Sequence, residues 1–315
     1  MSRPPLLVVV GPTGVGKTAV AVRLAERIGI EVIGADSRQV YRGVDIGTGK
    51  PTPAERAAVP HHLLDVVDPP ERYHAARFRA DALAAIAAVQ GRGRLPVVVG
   101  GTGLYVRALL RGLAPAPPAD PSLRATLERF AAEHGTPALH ARLAAVAPES
   151  ARRLHPNDRV RIVRALEVQA GRAGVGGDTG TGDWAAAPAR WRLAVIGLGR
   201  ERARLHAAIA ERARGMLARG MMEEVRGLLE AGHDENRPPM DGIGYRQLAL
   251  ALRGRLTVDE ALRLMIRDTT RYAKRQMTWF RREPELCWLD VDAIGGVEGA
   301  AEAVHKHVTR EGLVE

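Results

Sequence analysis

The sequence is poor in several residue types, and each shortage removes a class of explanation. One cysteine, Cys287, stands in 315 residues, so no internal disulfide forms and a cysteine-based metal site is out of reach. No apolar run approaches the roughly 20 residues that cross a bilayer. The N-terminus carries Arg3 and then a strand-like run, without the layout of a signal peptide. Together these lead us to expect a cytoplasmic protein with no membrane partner. Aromatics make up only 4% of the chain while alanine abounds, a composition that favours helices. Lysine occurs four times, at Lys17, Lys50, Lys274 and Lys306, so the net charge of +10 comes almost entirely from arginine. Much of that excess is compositional bias toward Arg, Ala and Gly. Where the charges cluster is not, and a pI near 10.5 suits a polyanionic partner.

Against that background the stretch Gly11–Thr18, GPTGVGKT, stands out. It has the G-x-x-x-x-G-K-T form of a phosphate-binding loop, with the apolar run Leu6–Val10 before it and a helical pattern after it. Gly11, Pro12, Thr13, Gly14, Val15 and Gly16 shape a turn whose backbone N–H groups face phosphate oxygens. Lys17 neutralises charge there and the Thr18 hydroxyl suits a Mg²⁺ ion. Such a loop identifies a polyphosphate ligand without fixing the reaction.

Further strand-like runs are Glu31–Ala35, Leu95–Val99, Trp191–Gly197 and Leu286–Leu289. Helical patterns separate them, which predicts an α/β fold with a parallel sheet of the P-loop NTPase-like kind, flanked by helices. The interval between the third and fourth runs is too long for one crossover. It predicts an inserted all-helical domain at 119–189 in a core formed by 1–118 and 190–315, entered by a Pro/Ala-rich hinge at Ala114–Pro121. The glycine-rich segment Arg172–Asp183 reads as a loop. Ala203–Ala231 reads as one long helix closed by Gly232. Asp259–Arg282 reads as another, with Thr257 or Asp259 at its start and Leu262, Ile266, Thr269, Ala273, Met277 and Phe280 facing the core. Arg267, Arg271, Arg275 and Arg282 fall on a different stripe of that helix.

The second strand ends at Asp36, where ligands bind in this architecture. From position alone Asp36 serves as a magnesium-side acid, a general base or a helix cap. The third strand ends in Gly100-Gly101-Thr102 and offers no acid, which weakens a hydrolase reading. Thr102 is either an ordinary N-cap or a hydroxyl aimed at phosphates. His61-His62 reads as structural, since no third ligand is spaced nearby. Cys287 lies in a strand-like run and is expected to be buried.

Seven segments occur in order: GPTGVGKT, ADSRQVYRGVDIGTGKP from Ala35, HHLLDVVDP from His61, GGTGLYVRAL from Gly100, HPNDRVRIVRALEV from His155, GIGYRQL from Gly242 and TRYAKRQMTWFRR from Thr270. The set resembles the bacterial tRNA dimethylallyltransferases over roughly residues 6–290. The resemblance implies transfer of a dimethylallyl group from dimethylallyl diphosphate to N6 of the adenosine 3′-adjacent to the anticodon, with Mg²⁺ as cofactor and pyrophosphate as product. It implies that the phosphate loop and Arg212 grip the diphosphate, that Asp36 is the general base and that Thr102 lies by the reacting atoms. For tRNA it implies contacts from Asp36, Ser37, Arg38, Gln39, Thr102, Arg124, Gly244, Tyr245, Arg246 and Gln247, and the two basic clusters add Arg161, Arg164, Arg271, Lys274 and Arg275 as candidates for the flanking phosphates. The inserted module then clasps the anticodon stem-loop. No obligate protein partner is implied, and a monomer is expected. The glycine-rich 172–183 departs from the family pattern.

Overall fold

A computed structural model describes residues 3–113, 117, 120–171, 190–283 and 285–314. The glycine-rich segment and most of the Pro/Ala-rich hinge lie outside them. The chain divides into two compact units, one of residues 1–110 with 187–315 and one of residues 111–186. The expected insertion at 119–189 has both its ends, 119 and 172–189, outside the described residues.

The larger unit begins β1 (Pro5–Val10), α1 (Lys17–Ala25), β2 (Ile30–Ala35), α2 (Pro53–Ala58), β3 (His61–His62), α3 (Ala75–Gly91), β4 (Leu95–Gly100) and α4 (Gly103–Arg111). The smaller unit holds α5 (Pro121–His134), α6 (Thr136–Val146), α7 (Pro148–Arg153) and α8 (Arg159–Gly171). The larger unit resumes with β5 (Arg192–Gly199), α9 (Arg202–Ala218), α10 (Met221–Glu230), α11 (Tyr245–Leu252), α12 (Val258–Phe280), β6 (Leu286–Asp290) and α13 (Gly296–Arg310).

Six strands form one sheet in the order β3-β2-β4-β1-β5-β6, and every pairing is parallel. β1 and β4 read as unbroken apolar runs because both sheet faces are covered. Leu6, Val8 and Val10 enter one core with Ile33, Val98 and Phe78. Leu7 and Val9 enter the other with Val97, Ile196 and Val304, as the two-residue pleat requires. Each such fully buried side chain contributes about 1.5–3 kcal/mol relative to exposure. The smaller unit has its own core of Leu127, Leu139, Leu143, Leu154, Ile162 and Val163.

Three expectations need correction, and one strand was missed. The short strand β3 was not foreseen. Its two residues escape a periodicity test, yet they pair with Val32 and Ile33. His62 Nε2 lies 2.7 Å from Glu31 Oε2, and Arg92 donates twice to the same carboxylate at 2.8 and 2.6 Å. Glu31 is only 4% exposed; the Arg92 hydrogen bonds, with help from His62, draw its carboxyl down to about 2. The single helix expected over 203–231 is two, because Gly220 adopts a left-handed φ of 94° between them. On α12 the deepest side chains are Ala261, Met265, Ala273, Gln276 and Phe280. The buried stripe is thus rotated, and Leu262, Ile266, Thr269 and Met277 lie at its half-buried margin. Cys287 is exposed, because β6 is an edge strand whose partly buried neighbours Leu286 and Trp288 turn toward the core instead. Of the two candidate starts of α12, Thr257 is the cap, in a capping box with Glu260.

Candidate active site

Val10, Ala35 and Gly100 lie side by side in register at the carboxyl ends of β1, β2 and β4. The phosphate loop, the Asp36 turn and the Gly101-Thr102 turn therefore leave the sheet together. They line a cleft of about 580 Å³ with residues of α9, α12 and the segment 47–51. Among the described residues no helix is long and apolar enough to cross a membrane.

Gly14 and Gly16 take left-handed φ values of 82° and 104°, just before α1 begins at Lys17. Lys17 Nζ donates to the carbonyls of Gly11 and Pro12 at 3.0 and 2.8 Å. Burial pulls the ammonium down to about 8, Asp36 pulls it up, and Arg212 pushes it down again. Arg212 from α9 is likewise lowered by burial and raised by Asp36. One carboxylate thus serves two desolvated cations, the setting in which an added anion binds well.

Asp36 Oδ1 accepts from the backbone amides of Arg38 and Gln39 at 2.8 and 3.3 Å, which fixes the carboxylate over the turn. Ser37 N donates to Thr102 Oγ1 at 3.1 Å. The Thr102 hydroxyl therefore bridges two strand ends and does not cap α4, although the Thr102 carbonyl starts that helix by accepting from Tyr105 and Val106. Tyr272 of α12 lines the same cleft. Burial, then the nearby Asp36 charge, raises its hydroxyl to about 12, with Thr102 and the cations Arg38 and Arg275 opposing. Neither Tyr272 nor Gln276 was foreseen from sequence. Their helical spacing hides polar cleft residues inside an apolar stripe.

The remaining sequence-predicted residues separate by what they touch. Arg38 forms an ion pair with Asp241. Gln39 Nε2 holds the carbonyls of Thr48 and Gly49 at 3.2 and 3.0 Å. Tyr245 is 2% exposed and donates to Glu224 Oε1 at 2.6 Å. Gln247 binds Asp268 Oδ2 at 3.0 Å and caps Gly244 N at 2.7 Å. Tyr245 and Gln247 are thus turned inward, Gly244 supplies a positive φ of 95°, and Arg246 is the exposed side chain of that segment. Arg271, Lys274 and Arg275 lie along α12, Arg271 and Lys274 exposed and Arg275 at the cleft. In the smaller unit Arg124 pairs in bidentate fashion with Glu167 at 2.7 and 2.6 Å, and Arg164 adds to that carboxylate at 3.3 Å. Arg161 projects from α8 with Asp158 at 2.8 Å.

Comparison with known proteins places the chain in a family. The IPP transferase family profile matches residues 39–283 and the isopentenyl transferase profile residues 4–65. The tRNA dimethylallyltransferase of Anaeromyxobacter sp. (strain K) is 51% identical over 296 residues, covering 92% of this chain and 95% of that one. The chain belongs to the tRNA dimethylallyltransferase family. This family comprises prenyl-transferring enzymes. The crystal structure of the tRNA isopentenylpyrophosphate transferase from Bacillus halodurans superposes with a TM-score of 0.71 at 37% identity, over 98% of this chain and 97% of that one. A eukaryotic dimethylallyltransferase solved in action on tRNA shares the fold, with a TM-score of 0.78 at 24% identity over 98% and 79% of the two chains. The P-loop NTPase-like fold expected from the sequence is thus shared with these structures.

Proposed function

We propose that this chain transfers the dimethylallyl group of dimethylallyl diphosphate to N6 of the adenosine 3′-adjacent to the anticodon of a tRNA. The observation that carries the reading is the meeting of an anion-binding loop with one turn-fixed carboxylate, Asp36, in a single cleft. Family membership supplies the substrate pair.

The amides of Gly14–Thr18, Lys17 and Arg212 hold the diphosphate and stabilise charge as it gathers on the leaving oxygen. The N6 lone pair forms the new bond to C1 of the allyl group while the C1–O bond breaks, its electrons leaving with pyrophosphate. N6 then carries an extra bond, and its proton passes to Asp36. The exocyclic nitrogen is a weak nucleophile because its lone pair is delocalised, so a positioned base contributes about 10²–10⁴-fold.

The donors in the cleft suit a hard cation. Thr18 and Asp36 offer oxygen atoms there, and among the described residues no cluster of three His, Cys, Asp or Glu side chains forms a self-sufficient metal cage. That fits Mg²⁺, which takes few protein ligands and completes its shell with water and phosphate. Held by Thr18 and the substrate, it would neutralise charge on the leaving group. Arg271, Lys274, Arg275 and Arg246 in the larger unit and Arg161 in the smaller are the cations suited to RNA phosphates.

Asp36→Asn tests the reading. Asparagine keeps an oxygen for the Arg38 and Gln39 amides, so the turn survives. Turnover falls by about 10²–10⁴-fold while the variant still binds tRNA and the diphosphate. Wild-type turnover in this variant removes Asp36 as the base.

A further inference from the structure

Lys50 is one of four lysines in a chain that otherwise takes its positive charge from arginine, and the chemistry above does not use it. Thr48, Gly49 and Pro51 around it line the cleft, while the Lys50 side chain is turned inward and only 2% exposed. Its ammonium donates to Tyr41 O and Asp45 Oδ1, each at 2.6 Å, and to Asp65 Oδ1. An ammonium has three N–H groups, so each has its own acceptor. A buried charge is tolerated when it is paired, and here two carboxylates pair it. Arg56 donates to the other Asp65 oxygen at 3.0 Å, which holds that carboxylate in place from its far side.

The three acceptors belong to different stretches of chain. Tyr41 follows the Asp36 turn, Asp45 opens the segment that runs to Gly49, and Asp65 lies beyond β3 with its own N–H on the Gln39 carbonyl at 3.3 Å. Lys50 therefore closes residues 41–50 into one loop. Gly49, on that loop, packs against the Arg212 guanidinium. Asp36 and the place where Arg212 rests thus stand at the two ends of one stretch of chain, and the Lys50 ammonium is the clip that closes it. A compact ammonium meets acceptors from three directions, which a planar guanidinium fork does not. That geometry accounts for a lysine at this position of an arginine-rich chain.

We propose that Lys50 is a positioning residue for the diphosphate site: it closes the 41–50 loop and so fixes the Arg212 guanidinium, through Gly49, relative to Asp36. The inference rests on the function proposed above, in which Arg212 grips the diphosphate, and adds the residue that sets where the grip falls.

The test is calorimetry on the full chain with Mg²⁺ and inorganic pyrophosphate as the probe, comparing the wild type, Lys50→Met, Arg212→Ala and the double variant. Methionine keeps the length of the stem and removes the three donors. Pyrophosphate affinity is expected to fall by about ten-fold in Lys50→Met, as for loss of one charge-assisted hydrogen bond. In the Arg212→Ala background the same substitution is expected to add almost nothing, because both act through one guanidinium. Asp45→Ala removes one acceptor and leaves the Lys50 charge on Asp65. It gives a smaller loss with the same dependence on Arg212, and it supplies the measurement if the methionine variant fails to fold. Wild-type affinity in these variants overturns the proposal. So does a loss that is undiminished in the Arg212→Ala background, which marks a general loosening of the cleft. Wild-type affinity in Arg212→Ala, or a wild type that does not bind pyrophosphate, overturns instead the function on which the proposal rests.

Discussion

Gly49 lies directly against Arg212: a Cβ on Gly49 would overlap the guanidinium, and the residue's φ is +60°. Gly49 is therefore part of the seat of Arg212, the arginine proposed to hold the diphosphate, whereas Gly47 makes room for Met221 and Tyr245. Gln39 holds the seat from one side through the Thr48 and Gly49 carbonyls. Gly49→Ala is expected to displace Arg212 and to raise the inhibition constant of pyrophosphate by about ten-fold, as for removal of one charge-assisted hydrogen bond of about 1.5 kcal/mol or more. Combining it with Arg212→Ala adds little further loss, because both remove one interaction. Additive losses in the double variant contradict the relationship.

Glu224 holds the same segment from the other side. Its carboxylate accepts from the amides of Asp45, Ile46 and Gly47 at 2.7, 2.8 and 3.1 Å and from the Tyr245 hydroxyl at 2.6 Å. Glu224→Ala leaves three backbone donors short of a partner at about 1–3 kcal/mol for each that stays dry. Tyr245→Phe loses a single bond, about 0.5–1.5 kcal/mol. Thermal denaturation should rank them in that order, and diphosphate KM should rise more for Glu224→Ala. Equal melting temperatures would place the loop's support elsewhere.

Lys17 gives a pH dependence. Its ammonium sits near 8 in the free protein, below the ordinary 10.5, so between those values the unfolded chain binds the extra proton and stability rises with pH. A bound diphosphate favours the charged lysine and reverses the shift. Above about pH 8 the protein should therefore take up a proton as the diphosphate binds, and affinity should fall as pH rises. Calorimetry in buffers of different ionisation enthalpy reads that uptake directly. Proton uptake that persists in Lys17→Met would assign it to another group.

Arg124, pointed to by the resemblance, and Arg271, pointed to by the basic stripe of α12, are both candidate RNA contacts, and the structure gives them opposite consequences. Arg124 neutralises Glu167, a carboxylate 3% exposed. Arg124→Ala leaves that charge buried with only Arg164 beside it and should cost the smaller unit up to about 3–5 kcal/mol, read as a lower melting temperature or faster proteolysis of that unit. Arg271 is exposed, with Asp268 at 3.7 Å. Its alanine variant should melt like the wild type but bind tRNA more weakly, with a salt slope shallower by about 0.7–0.9 for each phosphate that Arg271 neutralises. An unaltered slope removes Arg271 from the RNA interface.

The sheet was legible in the sequence because β1, β2, β4 and β5 are doubly buried and read as apolar runs. The phosphate loop was legible because its glycines and Lys17 are chemically required at fixed spacing. Asp36 was visible as a position and its role was not, since a base, a metal ligand and a cap share one residue type. β3 stayed hidden because two residues carry no period. The break at Gly220 stayed hidden because a glycine inside an amphipathic pattern looks the same whether or not its φ is positive. Gln276 and Tyr272 stayed hidden because Thr13, Gly101 and Thr102 are remote from them in sequence and meet them only through the parallel crossovers. Arg124 showed the converse: the resemblance pointed to it, while its internal partner Glu167 stayed hidden.

The central claim is tested most directly by incubating the purified protein with Mg²⁺, radiolabelled dimethylallyl diphosphate and unmodified tRNA in the absence of ATP, then digesting the RNA to nucleosides. Label is expected in N6-dimethylallyladenosine at the position 3′ of the anticodon, with one pyrophosphate released per group transferred. Label that appears only when ATP is supplied, or none at all from folded protein that binds tRNA, would contradict it.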